Sequence, residues 1–256
     1  HQLIAVNHEY VNPKVNLPQN QDGVPASADD VRKLQNLQGV TVMEVAEGEN
    51  GWQVVVDSPF NRRIHHNTPM RVAGPAAGHD LLKTAADPEG TTVLGTLNNC
   101  GAGKTPWGTY LTCEENFNGY FGSTDPEFER PADFKRYGIG LEGRYAYEKF
   151  DARFDLSRNP NEPHRFGWVV EIDPSNPDST PVKRTALGRF KHENAEVVLA
   201  SDGRVVVYLG DDERGEYLYK FVSNGSYVPG GPTDGLLDDG TLYVAKFHDD
   251  QTGEWL

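Results

Sequence analysis

An all-β fold is what this sequence predicts, on three observations. Short apolar runs recur along the chain, each bounded by Gly, Pro, Asn or Asp; they crowd together in the second half; and a single stretch stands out for helical spacing. Taken in order, the first predicted strand is Leu3-Ile4-Ala5-Val6. A helix follows, because Ser27 can cap it, Asp30 completes a capping-box-like pair, Val31 and Leu34 share a face with Leu37 or Gln38, and Gly39 can end it. Its expected role is to plug or cover the sheets. Strands are then predicted at 40–45, 52–56, 92–97 and 108–112. The segment 121–163 is rich in Asp, Glu, Arg, Pro and Gly with weak periodicity, which predicts a long excursion, a lid or surface arm, rather than a core element. Beyond it, strands are predicted at 167–172, 182–187, 196–200, 204–209, 216–221 and 241–247. Ala200-Ser201-Asp202-Gly203 makes a hairpin turn between two of them, since Asp-Gly tolerates the positive φ such turns demand. This meander fits β-propeller blades; a sandwich would give a similar pattern, and no clean repeat period separates the two.

The 256 residues suffice for one large β domain, which is the expected organisation over 1–256. The chain opens on His1 directly into a strand and stops soon after another at Leu256, so both ends read as interior cuts. Lys plus Arg number 24 against 38 Asp plus Glu, a formal charge of −14 that repels nucleic acid and anionic membrane surfaces alike. Carboxylates in that number suit hard cations such as calcium, although acidity also simply keeps a protein soluble. The two cysteines, Cys100 and Cys113, are too few for a disulfide scaffold, and no run approaches the roughly 20 apolar residues of a membrane span.

The stretch from Thr105 to Asn116 is the most informative. A strand running through Tyr110 into Cys113-Glu114-Glu115 sets a soft thiol beside hard carboxylates, and alternation places Cys113 and Glu115 on one face. Thiolate with carboxylates suits iron and carboxylates alone suit calcium; a buried structural cysteine beside two solvated glutamates is the plainer alternative. Asn7-His8-Glu9 and Lys191-His192-Glu193 both put His-Glu at a strand boundary, with the glutamates the better ligand candidates and the histidines better suited to support. Gly210-Asp211-Asp212-Glu213 offers a calcium contact through Asp211 or its neighbours, or a solvated turn. Gly101-Ala102-Gly103-Lys104-Thr105 imitates the end of a phosphate-binding loop. Asn98 stands where that loop needs a glycine, and Pro106 stands where a helix would have to start, so a nucleotide site is rejected.

With Val6-Asn7-His8-Glu9, Asn98-Asn99-Cys100-Gly101, the Thr105–Asn116 block, the run from Gly167 to Pro174, Gly188 to Glu193, and Gly210-Asp211-Asp212 leading to Tyr219-Lys220-Phe221, the chain resembles the PhoX-type alkaline phosphatase family over nearly its whole length. The resemblance implies a six-bladed β-propeller. It also implies a cofactor of Fe3+ and Ca2+ ions bridged by an oxo group, hydrolysis of small-molecule phosphomonoesters, and twin-arginine export to the periplasm or beyond; a monomer is expected. Carried over by motif, Cys113 would ligate iron, Glu193 would be an acidic metal ligand, Glu9, Glu114 or Glu115 would complete the shell, and Lys191 would contact phosphate. The family pattern continues past the equivalent of Leu256 with an Arg-Pro-Glu motif and further aspartates, so this stretch is expected to carry only part of the site. The alternative reading is a calcium-binding propeller module without catalytic activity. The thiol beside the glutamates favours the enzyme, because a calcium module needs no sulfur.

Overall fold

The computed structural model describes residues 1–20 and 22–256, and its chain is mostly β, in three sheets with no closed barrel. The first sheet joins β1 (Gln2–His8), β2 (Gly39–Gly48) and β3 (Gly51–Val54), with β4 (Arg62–Ile64) paired to β2. The second is six-stranded. It contains β5 (Pro69–Ala73), β6 (Thr92–Leu94), β7 (Asn99–Lys104), β8 (Tyr110–Glu114), β9 (Val169–Ile172) and β10 (Val182–Arg184), in the order β6-β5-β10-β9-β8-β7. Only the β5–β10 pair in it is parallel. The third is a consecutive antiparallel meander of β11 (Glu196–Leu199), β12 (Arg204–Gly210), β13 (Leu218–Ser226), β14 (Gly240–Phe247) and β15 (Gly253–Trp255). Its β11–β12 turn carries Gly203 at φ +82, with the Ala200 N–H donating to the Arg204 carbonyl at 2.9 Å.

Strand alternation explains how these sheets stack. On β9, Val170 and Ile172 point into one apolar cluster while Val169 points into another, so the six-stranded sheet is buried on both faces. The second cluster joins Leu111, Cys113 and Val169 of that sheet to Val205, Val207, Leu209 and Phe221 of the third. The first cluster joins its other face to Val40, Val42 and Ile64 of the first sheet and to Val31 and Leu34 of a helix.

That helix, which follows a short one at Pro13–Asn16, runs Ala28–Leu37. It is capped as the sequence predicts: the Asp30 N–H donates to Ser27 Oγ at 3.1 Å, and Val31 and Leu34 are buried. Segment 121–163 departs from expectation. It holds the third helix, Ala132–Arg136, and several single 3-10 turns, and it sends Phe121, Phe134, Tyr145, Tyr147, Phe154 and Leu156 into the first cluster. It is core built from irregular backbone rather than a surface arm. Large aromatics bury enough apolar area to order a loop whose spacing matches neither helix nor strand.

Candidate metal centre

Five donor side chains converge where the first, second and third sheets meet. One donor atom each of Glu9, Cys100 and Glu115 lies within 4.8 Å of the others, and the same holds for Glu115, Glu193 and Asp212. Glu115 is common to both groups.

Local sequence explains the convergence. Glu9 follows β1, whose Asn7 reaches across to the β7–β8 pair: its amide donates to the carbonyls of Cys100 (2.8 Å) and Gly101 (3.0 Å), and its carbonyl accepts from the Tyr110 (3.0 Å) and Thr112 (2.9 Å) hydroxyls. The β7–β8 register slips between Asn99 and Ala102, so Cys100 and Gly101 sit in a bulge. A bulge re-aims a side chain out of the alternation, and here it turns the Cys100 thiol to the carboxylates. Just before it, Asn98 takes φ +50, a conformation asparagine tolerates better than most residues, and donates its amide to Glu9 at 3.0 Å and to Glu115 at 3.4 Å.

Glu193 and Asp212 come from the third sheet's approach. The Glu193 N–H donates to the Gly210 carbonyl and the Asp212 N–H to the Lys191 carbonyl, while His192 forms a bridge with Asp211 and donates its backbone N–H to the Glu114 backbone carbonyl at 3.0 Å. Glycines let this strap come close. A Cβ at Gly101 would stand 2.0 Å from the Glu193 carbonyl oxygen, and one at Gly103 would stand 1.8 Å from that of Ala195. The His192 ring is fully buried, its centroid 3.7 Å from that of the tilted Phe190 ring and its Nε2 3.0 Å from the Gly188 carbonyl, and burial pushes its pKa down to about 4. It is a neutral brace for the strap.

The donor set suits cations. Among the described residues no Lys or Arg pairs with Glu9, Glu115, Glu193 or Asp212, so four carboxylates face one another without a compensating charge. Burial, reinforced by Glu9 and Asp212, raises the Glu115 carboxyl to about 8. Burial and the charges of Glu9, Glu115 and Glu193 raise the Cys100 thiol to about 12. Asn98 Oδ1 is buried and unpartnered. A bound cation would reverse both shifts, because it favours the charged forms.

Glu9, Glu115 and Glu193, all expected from sequence, are therefore brought together. Cys113 is not: it is fully buried beside Leu111 and Val169 in an apolar cluster, on the core face that alternation assigns it. Glu114 accepts from Lys183 Nζ at 2.7 Å and from the Leu97, Gly167 and Trp168 N–H groups, with no exposure left. Asp211 turns back to cap Glu213 N–H, and Lys191 is ion-paired with Glu213. Cys100 and Asp212 take the places expected of Cys113 and Asp211. The readable signal for Cys100 was the glycine pair at 101 and 103 in a strand, which marks close backbone approach more directly than it imitates a phosphate loop.

With that geometry in place, the family model for alkaline phosphatase PhoX matches residues 1–256. A solved structure, Pseudomonas fluorescens PhoX in complex with vanadate, a transition state analogue, is similar at a TM-score of 0.92 and 51% identity, covering 99% of this chain and 45% of that one. The chain thus spans less than half the length of that relative. No curated protein matches it.

Proposed function

This chain belongs to the PhoX alkaline phosphatase family, and from that premise we propose that the full-length enzyme hydrolyses small-molecule phosphomonoesters at a mixed centre of calcium and iron, to which this chain contributes Glu9, Cys100, Glu115, Glu193 and Asp212. The observation that carries the reading is the convergence of one thiol and four carboxylates with no basic partner among the described residues. Hard oxygen donors suit calcium, and the added sulfur suits iron. The three sheets are read as blades of a propeller, and the chain as part of an exported, monomeric enzyme. No helix is long and apolar enough to cross a membrane among the described residues.

In this mechanism the cations, when bound, supply charge neutralisation on the phosphate oxygens and activation of the attacking water. The residues of the chain hold the frame. Asn98 fixes the carboxylates of Glu9 and Glu115, the bulge aims Cys100, and the His192 brace seats Glu193. No side-chain nucleophile is needed, and the sequence offers no Ser-His-Asp arrangement.

Elemental analysis of the full-length enzyme with a phosphomonoester assay before and after calcium chelation tests the reading. Both metals are expected, hydrolysis is expected to cease on chelation, and Cys100→Ser is expected to lower iron content and rate by at least roughly tenfold while Cys113→Ala leaves iron content near wild type. Calcium uptake without iron or hydrolysis would instead establish the binding module.

A further inference from the structure

An exposed arginine that none of the donors uses is linked to the acid cluster through Tyr10 and Asn116. Arg144 lies in the irregular segment 121–163, is exposed, and stacks its guanidinium 4.3 Å from the ring centroid of Tyr10 and 5.5 Å from that of Tyr145. Tyr10 follows Glu9 directly. Its hydroxyl accepts from Asn116 Nδ2 at 3.2 Å, and the same Asn116 amide donates to Glu115. Its stacking on Tyr10, whose hydroxyl shares the Asn116 amide with Glu115, thus connects the guanidinium to the cluster.

Among the described residues Arg144 has no carboxylate within ion-pair distance, in a chain of net charge −14 and beside a cluster of four acids. Lys191, by contrast, is already committed to Glu213. Stacking and a hydrogen bond to Tyr10 pre-orient the guanidinium, and the donors left over on its five-donor planar fork match oxygens of a phosphoryl group. We propose that Arg144, held on Tyr10, is a phosphate-contacting residue that draws the dianionic monoester to the centre and orients it. This rests on the phosphatase reading above and adds a recognition element within this part of the chain.

The test compares full-length wild type, Arg144→Ala and Arg144→Lys by hydrolysis of p-nitrophenyl phosphate, inhibition by inorganic phosphate, calorimetric titration with phosphate, and elemental analysis. Arg144→Ala is expected to raise KM and the phosphate inhibition constant roughly ten- to a hundredfold, the scale of one lost hydrogen bond to a charged group, with a smaller change in kcat and unchanged metal content. Arg144→Lys is expected to recover part of that affinity, because it keeps the charge and loses the fork. Phosphate constants within twofold of wild type in Arg144→Ala, or a fall in metal content that accompanies the loss, would overturn the assignment while the wild type stays active. A wild type that neither hydrolyses the ester nor binds phosphate would bring down the phosphatase reading and this proposal together.

Discussion

At the scale of single residues, the same chemical type does opposite jobs one position apart. Glu115 is crowded by other acids and, among the described residues, pairs with no Lys or Arg, whereas Glu114 is sealed in a 0%-exposed ion pair with Lys183, whose ammonium also donates to the Arg165 carbonyl at 2.9 Å and lies 4.0 Å from the centroid of the Phe166 ring. Every oxygen of Glu114 is spoken for by Lys183 or a backbone N–H. Desolvation pulls Lys183 down to about 8, so the pair remains charged near neutrality only through that full set of partners. Removing the cation strands a buried carboxylate: Lys183→Met is expected to cost about 3–5 kcal/mol by chemical denaturation. The double variant Lys183→Met with Glu114→Gln should recover part of that cost, because the orphaned charge goes with it. A full-strength loss in the double variant would show that packing, not charge, sets the penalty.

At the scale of elements, β7 shapes the candidate site. Its bulge and its two glycines let the Glu193–Ala195 strap lie against it, so Gly101→Ala must displace the Glu193 carbonyl. A misplacement of about 1 Å costs roughly a hundredfold in rate, and activity and metal content are expected to fall together on that scale in Gly101→Ala. Gly210→Ala, which meets nothing within 4 Å, should leave both unchanged. The same element marks the limit of sequence reading. The helix at Ala28–Leu37, the Asp202-Gly203 hairpin and the third-sheet meander were legible, because capping, turn chemistry and alternation are local. Glu9, Glu115 and Glu193 were legible as acids at strand ends. Cys100 was passed over for Cys113 because alternation holds only while register holds, and the bulge breaks it where the thiol is placed. Asp212 was passed over for Asp211 because the pairing of 191–193 with 210–212, invisible in either segment alone, decides which acid faces in. The aromatics of 121–163 looked like a surface arm because burial there follows no period.

At the scale of the whole molecule, buried titratable groups make stability depend on pH from both sides. His164, nearly buried, is pushed to about 4 by desolvation and the nearby Arg189, and His66, buried among Tyr120, Tyr147 and Phe154 with both ring nitrogens unpartnered, is pushed well down by burial. Their folded pKa values lie below the unfolded value near 6.5, so the unfolded chain takes up protons that the folded chain refuses. Stability therefore falls as pH drops from about 6.5 toward 4, with His164 alone contributing up to about 3 kcal/mol at 1.36 kcal/mol per pKa unit. Glu115 acts in the opposite direction. Its folded value of about 8 lies above the unfolded carboxylate range, so without cations the folded state loses stability as pH rises from about 4.5 to 8. Bound cations would invert that limb by favouring the ionised acid, and metal affinity should then climb with pH. Thermal melts of the full-length protein are expected to show the chelated form losing several degrees between pH 6.5 and 8 while the metal-loaded form holds or gains. Glu115→Gln should abolish the loss in the chelated form, because no carboxyl remains to ionise there. A chelated protein whose melting temperature stays flat across that range would mean that the acid cluster carries no strain for a cation to relieve.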